Sequence, residues 1–313
     1  MLKCKNEATI LLKTKGNVSV RFSRTNPFRA GTKPFLTPNG PPALQSLAMP
    51  HRSPPKFGQH FLTDARYRRR IADSLPLRPN DLVIEIGAGR GAMTSLLAER
   101  ARRVVAIEVD PELANHLQRK FKGDERIEIL AGDILATDIG EVCRRYGSEK
   151  CVVFGNLPYY ITSPIIHRVF AAPERLSGLT LLVQQEVAER LAAVPGTRAY
   201  GYLSVLAQFY SQPRLLFSVP AGAFSPPPKV RSALVDFQML EVPGAFSAKH
   251  RTEFLEFVKS CFSQKRKNLL NNLSATWTRP RVERELASLG LSSRLRAEQL
   301  SLQQFTALFE RLG

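Results

Sequence analysis

The run Leu82-Val83-Ile84-Glu85-Ile86, followed at once by Gly87-Ala88-Gly89-Arg90-Gly91, does most to restrict the folds open to this chain. The apolar run reads as a buried strand, and the glycines at alternate positions read as a turn that lets a ligand approach bare backbone. A helix over 92–100 follows, then the strand Val104-Val105-Ala106-Ile107-Glu108. Pro111 stands where its fixed φ suits the first position of another helix. Ile127-Glu128-Ile129-Leu130 makes a third strand ending at Ala131-Gly132-Asp133, and Cys151-Val152-Val153-Phe154 a fourth that runs into Gly155-Asn156. Strands alternating with helices in this way predict an α/β fold with a parallel sheet and right-handed crossovers.

Either side of that unit the pattern changes. Thr63-Asp64 caps an arginine-rich helix that runs through Leu75. After the fourth strand, Ser163-Pro164 begins a helix, 179–183 reads as a strand and 186–193 as a helix, with a break at Pro195-Gly196. The segments 214–219 and 232–239 read as a closing antiparallel pair flanking Phe224-Ser225-Pro226-Pro227-Pro228-Lys229-Val230. Beyond residue 243 the pattern is purely helical, with Phe254, Phe257, Val258, Cys261 and Phe262 at helical spacing. The expected organisation is therefore a basic, disordered extension over 1–50, an α/β domain over 51–242 and a small helical domain over 243–313. The extension holds eight Lys or Arg and a single acid, Glu7. It reads as a disordered arm, a transit peptide or a matter of start-site choice, since Met49 offers a second start.

With 45 Lys plus Arg against 27 Asp plus Glu the formal charge is +18, which favours a polyanionic partner, either nucleic acid or an anionic membrane surface. No apolar stretch is long enough to span a bilayer. Cys4, Cys143, Cys151 and Cys261 lack metal-type spacing and read as reduced, structural thiols of a cytosolic protein. No metal is expected, and a monomer is the default.

The strand ends carry the chemistry. Gly87, Gly89 and Gly91 shape the first turn, and Glu108 ends the second strand, where a carboxylate can accept bonds from both ribose hydroxyls. These features alone fit a dinucleotide equally well, because Gly87-x-Gly89-x-x-Ala92 satisfies that fingerprint too. Two further strand ends discriminate. Asp133 is placed to accept from an adenine amine. Asn156-Leu157-Pro158-Tyr159 offers an amide oxygen and a turn carbonyl that together accept from an exocyclic amine, with a tyrosine ring to stack on the base that carries it. Hydride transfer has no use for an amine-gripping motif, whereas methyl transfer to an exocyclic amine does. S-Adenosylmethionine is the cofactor this combination favours, on a Rossmann-like methyltransferase sheet.

From about Pro54 to the C-terminus the chain resembles the ribosomal RNA adenine N6,N6-dimethyltransferase family. The resemblance rests on Phe57-Gly58-Gln59-His60-Phe61-Leu62, Glu85-Ile86-Gly87-Ala88-Gly89, Glu108-Val109-Asp110, Gly132-Asp133 and Gly155-Asn156-Leu157-Pro158-Tyr159. It continues through Ala199-Tyr200-Gly201, Phe224 to Val230, Cys261 to Lys267 and Arg296-Ala297-Glu298-Gln299-Leu300. It implies dimethylation of two adjacent adenosines near the 3′ end of small-subunit (16S) rRNA during ribosome biogenesis. The large-subunit, antibiotic-resistance branch and an assembly factor with secondary catalysis are the alternatives. It places cofactor contacts on His60, Leu62, Gly87, Glu108, Asp133 and Asn156, with Gly89 in the same turn; His60 stands where the family often has Asn. In the implied mechanism Asn156 and the Pro158 carbonyl grip the amine while Tyr159 and Phe224 sandwich the base. Lys265, Arg266 and Lys267, with Arg66, Arg68, Arg69 and Arg70, are the candidate phosphate contacts.

Overall fold

The computed structural model describes residues 59–241 and 247–313. The basic extension, Met49 and the boundary expected at 242–243 lie outside the described residues. Nine strands run β1 (Phe61–Leu62), β2 (Leu82–Ile86), β3 (Arg103–Glu108), β4 (Ile127–Ala131), β5 (Cys151–Asn156), β6 (Leu176–Gln184), β7 (Ser211–Val219), β8 (Phe224–Ser225) and β9 (Ser232–Met239). The helices among them are α1 (Ala65–Ser74), α2 (Ala92–Ala98), α3 (Pro111–Lys120), α4 (Ile139–Arg145), α5 (Thr162–Val169), α6 (Gln185–Leu191) and α7 (Tyr202–Tyr210). Four more close the chain, α8 (Ala248–Cys261), α9 (Leu269–Leu273), α10 (Arg279–Ser288) and α11 (Leu302–Leu312). No helix among the described residues is long and apolar enough to cross a membrane.

The main sheet has the order β4-β3-β2-β5-β6-β9-β7. Strands β2 to β6 pair in parallel, and β9 is antiparallel to both neighbours, so 211–219 and 232–239 do close the sheet as an antiparallel pair. All five residues of β2 are buried, as a central strand covered by helices on both faces requires. From β2 the chain winds outward through β3 and β4, then returns to lay β5 on the other side of β2. The crevice at that reversal, beyond the carboxyl ends of β2 and β5, is where open α/β sheets bind ligands.

Two elements were not expected from periodicity. Helix α7 fills the space between the Pro195-Gly196 break and β7, and its apolar residues are buried nearly all round. A second, two-stranded sheet pairs β1 with β8, with Phe61 opposite Ser225 and Leu62 opposite Phe224. It is extended by Thr63 and Asp64, whose amides both donate to the Ala223 carbonyl at 2.8 and 3.1 Å.

The described residues belong to one compact unit. The C-terminal helices share a hydrophobic core with the helices on one face of the sheet, Phe254 of α8 lying 4.8 Å from Phe209 of α7 between ring centroids. The glycine turn is fixed by sterics as much as by conformation. Gly91 has φ +72° and caps α2, and a Cβ there would lie 2.6 Å from the Phe121 ring and 2.7 Å from Leu117. Left-handed strain and overpacking therefore combine, and Gly91→Ala is expected to cost roughly 2–5 kcal/mol of stability in urea denaturation.

Candidate active site at the carboxyl edge of the sheet

Parallel pairing sets Ile86 beside Gly155, so Gly87 at the end of β2 and Asn156 at the end of β5 emerge side by side. They form one cleft, whose walls also include Gln59, His60, Phe61, Gly89, Glu108, Val109 and the stretch from Leu157 to Ile161. Four segments separated in sequence thus meet at the switch point of the sheet.

Glu108 is buried and holds the glycine turn in place: its Oε2 accepts from the Gly89 amide at 2.8 Å and its Oε1 from the Asp110 amide at 3.0 Å. Each carboxylate oxygen keeps a second lone pair for a ligand hydroxyl. Gly89 has φ +59°, and a Cβ there would meet the Phe61 ring at 3.1 Å. The bare turn therefore lies flat under Phe61, whose ring also carries Arg90 at 4.8 Å.

Behind the turn sits Glu85, 2% exposed, whose Oε2 accepts from Thr94 Oγ1 at 2.5 Å. Burial pushes its carboxyl up to about 8, and the neighbouring Glu108 carboxylate pushes the same way, while the Thr94 hydrogen bond and Lys120 oppose them less strongly. Its chemistry is that of a neutral hydrogen-bonding group under the site, a role its place in an apolar strand did not announce.

Asn156 is oriented by the opposite wall. Its Nδ2 donates to the His60 backbone carbonyl at 3.3 Å, which leaves Oδ1 as its free acceptor. His60 in turn donates from Nδ1 to the Pro226 carbonyl at 2.8 Å, the direction being set because a carbonyl only accepts. The His60 ring lies 5.7 Å from that of Tyr159 at 29°. Tyr159 is anchored through its hydroxyl to Ser232 Oγ at 2.9 Å, and burial raises its phenol above the usual range, so it stays neutral. Next to it Tyr160 is 61% exposed at the mouth of the cleft.

Several expected site residues stand elsewhere or have their polar groups already engaged. Phe224 is not a wall of the cleft; it pairs with Leu62 across the small sheet and packs with Leu62, Ile71 and Val83 in the second hydrophobic core, 4% exposed. Leu62 is buried in the same cluster and is not a wall of the cleft either. The Pro158 carbonyl is already occupied, accepting from the Ile161 amide at 3.3 Å and from Thr162 Oγ1 at 3.1 Å, because the turn feeds directly into α5. Asp133 is exposed and caps a 3-10 turn, Oδ1 accepting from the Leu135 amide at 2.9 Å. Lys265, Arg266 and Lys267 form an exposed loop after α8, apart from the cleft walls, with Lys265 Nζ held to the Arg198 carbonyl at 3.2 Å.

An adenosine-type cofactor fits what the cleft presents: a buried acceptor in Glu108, bare backbone at Gly87 and Gly89, and the half-exposed Val109 side chain beside them. Together with the sheet order, this defines the chain as a Rossmann-like methyltransferase. It belongs to the ribosomal RNA adenine dimethylase family, whose profile matches residues 51–313. The Ribosomal RNA small subunit methyltransferase A of Acidobacterium capsulatum is 40% identical over 273 residues, 87% of this chain and 95% of that one. The protein of the same name from Koribacter versatilis is 40% identical over 270 residues, 82% and 93% of the two chains. Among solved structures, the 23S rRNA methyltransferase ErmE superposes with a TM-score of 0.63 at 30% identity, over 80% of this chain and 99% of its own. A dimethyladenosine transferase from Plasmodium falciparum gives 0.65 at 22% identity over 80% and 96%, a likeness of fold.

The Glu85 carboxyl also sets a pH dependence. Between about 4.5 and about 8 an unfolded chain releases the proton that the folded chain keeps, so stability falls as pH rises across that window and levels off above it. Glu85→Gln removes the penalty. Its melting temperature should exceed the parent's by a margin that widens from about pH 5 to about pH 8, and a margin independent of pH would refute the buried neutral carboxyl.

Proposed function

We propose that this chain transfers methyl groups from S-adenosylmethionine to the N6 amines of adjacent adenosines near the 3′ end of small-subunit rRNA. The observation that carries this is the fixed Asn156 amide: with Nδ2 committed to the His60 carbonyl, Oδ1 is the acceptor left for an amine N–H. Adenine N6 is a poor nucleophile because its lone pair is delocalised into the ring. Acceptors that hold its N–H bonds out of the ring plane localise that pair on nitrogen, which is positioning and electrostatics rather than base catalysis.

The second acceptor is assigned to Leu157. Its carbonyl makes no hydrogen bond among the described residues and the residue lines the cleft, whereas the Pro158 carbonyl serves the start of α5. Tyr159 supplies the stacking face. Its ring already lies at offset-stacking distance from His60, which leaves no slot between the two, so the base stacks on the outer face or displaces the imidazole. Glu108 would hold the cofactor's ribose, and Asp133, through its remaining oxygen, the adenine amine. Bound S-adenosylmethionine supplies an activated methyl on a sulfonium. Lys265, Arg266, Lys267 and the arginines of α1 are assigned to RNA phosphates.

The small-subunit substrate is supported by relatives of that name at 40% identity over nearly their whole length, against 30% for the large-subunit enzyme. Nucleoside mass spectrometry tests it, after incubating the protein with S-adenosylmethionine and undermethylated small subunits or large-subunit RNA. N6,N6-dimethyladenosine should appear only with the small subunit; product only from large-subunit RNA would move the protein to the other branch. Asn156→Ala should lower kcat by roughly 100-fold or more while cofactor binding persists, and near-normal turnover would remove the role assigned to Oδ1.

A further inference from the structure

A second concavity, distant in sequence from every cleft residue, lies between α8 and α11. It is an open groove rather than an enclosed cavity. Its floor is aromatic. Trp277 stands 5.7 Å from Phe257, and Phe257 stands 5.6 Å from Phe309, between ring centroids. Trp277 is pinned by its Nε1, which donates to the Leu312 carbonyl at 2.8 Å, while its ring remains partly exposed. Three carboxylates, Glu253, Glu256 and Glu310, line it together with His250.

On a chain of net charge +18, carboxylates gathered round an aromatic floor run against the general field. Glu310 has no ion-pair partner among the described residues. Glu253 and Glu256 pair only with the exposed Lys249 and Lys259 of their own helix, at 3.7 and 3.3 Å. Exposed pairs of that kind contribute little and exchange readily for an incoming cation. Phosphate backbones and anionic lipid headgroups are repelled by such a lining, whereas a guanidinium or ammonium group gains both the carboxylates and the face of a tryptophan.

We propose that this groove docks an arginine- or lysine-bearing peptide segment of a basic protein partner, its cation over Trp277 and its apolar neighbours on Phe257 and Phe309. The proposal is independent of the reaction at the cleft, since it shares no residue with the cofactor, base or phosphate contacts.

Trp277 is the only tryptophan of the chain, so its fluorescence reports on the groove directly. The full-length protein is titrated at low salt with a short peptide alternating arginine and leucine, with its glutamate–leucine counterpart, and with an oligoribonucleotide. Only the arginine peptide should give a saturable change, and Glu310→Lys with Glu256→Lys should raise its midpoint roughly fivefold or more while methyl transfer to RNA is retained. An equal response to the acidic peptide, a midpoint indifferent to charge reversal, or saturation by the oligoribonucleotide overturns the proposal. So does sedimentation showing the groove filled by a second copy of this chain.

Discussion

The pairing of β2 with β5 is the constraint on which the rest of the cleft depends. Two buried parallel strands, adjacent in space but separated in sequence by two strand–helix units, end in Gly87 and Asn156 at one level of the sheet. Shifting their register by one residue would turn every buried side chain of β5 to the opposite face, so the hydrophobic core itself enforces the distance between the glycine turn and the amide. The spacing of the two strand ends is thus a by-product of packing valines and isoleucines, while Glu108 and the His60 carbonyl fix the turn and the amide at those ends.

The third wall is fixed by a different means. Residues 59–62 join the cleft because β1 pairs with β8, and His60 is held from both ends, its ring by the Pro226 carbonyl and its own carbonyl by the Asn156 amide. A backbone carbonyl orients Asn156, so the side chain at position 60 is free to be histidine. Its imidazole then does what an asparagine cannot, lying against Tyr159.

What was legible in the sequence was what periodicity and strand-end chemistry carry. The apolar runs of β2, β3 and β5 and the acids and glycines that end them predicted the sheet and most of one wall. The packing of Phe224 with Leu62 was not legible, because two residues of strand carry no periodic signal. Helix α7 was missed for the opposite reason: buried nearly all round, it lacks the amphipathic stripe that marks a surface helix. The motif Asn156 to Tyr159 announced an acceptor pair, but which carbonyl points outward depends on where α5 begins, and that is a property of the folded turn. Glu85 looked like an interruption of an apolar strand, and only its burial beside Glu108 shows it to be a neutral carboxyl.

The pinned amide of Asn156 also bears on how the enzyme parts from its own product. With Asn156 Oδ1 and the Leu157 carbonyl as the proposed acceptors, unmodified adenine would bring two N–H groups to the site, the monomethyl base one, and the dimethyl base none. Each transfer removes a hydrogen bond contributing on the order of 1 kcal/mol and leaves an acceptor facing a methyl group. Affinity for the base therefore descends with each turnover. On that proposal the finished nucleotide would have lost both bonds that drew it in, which would give the reaction a direction and a stopping point without any moving part.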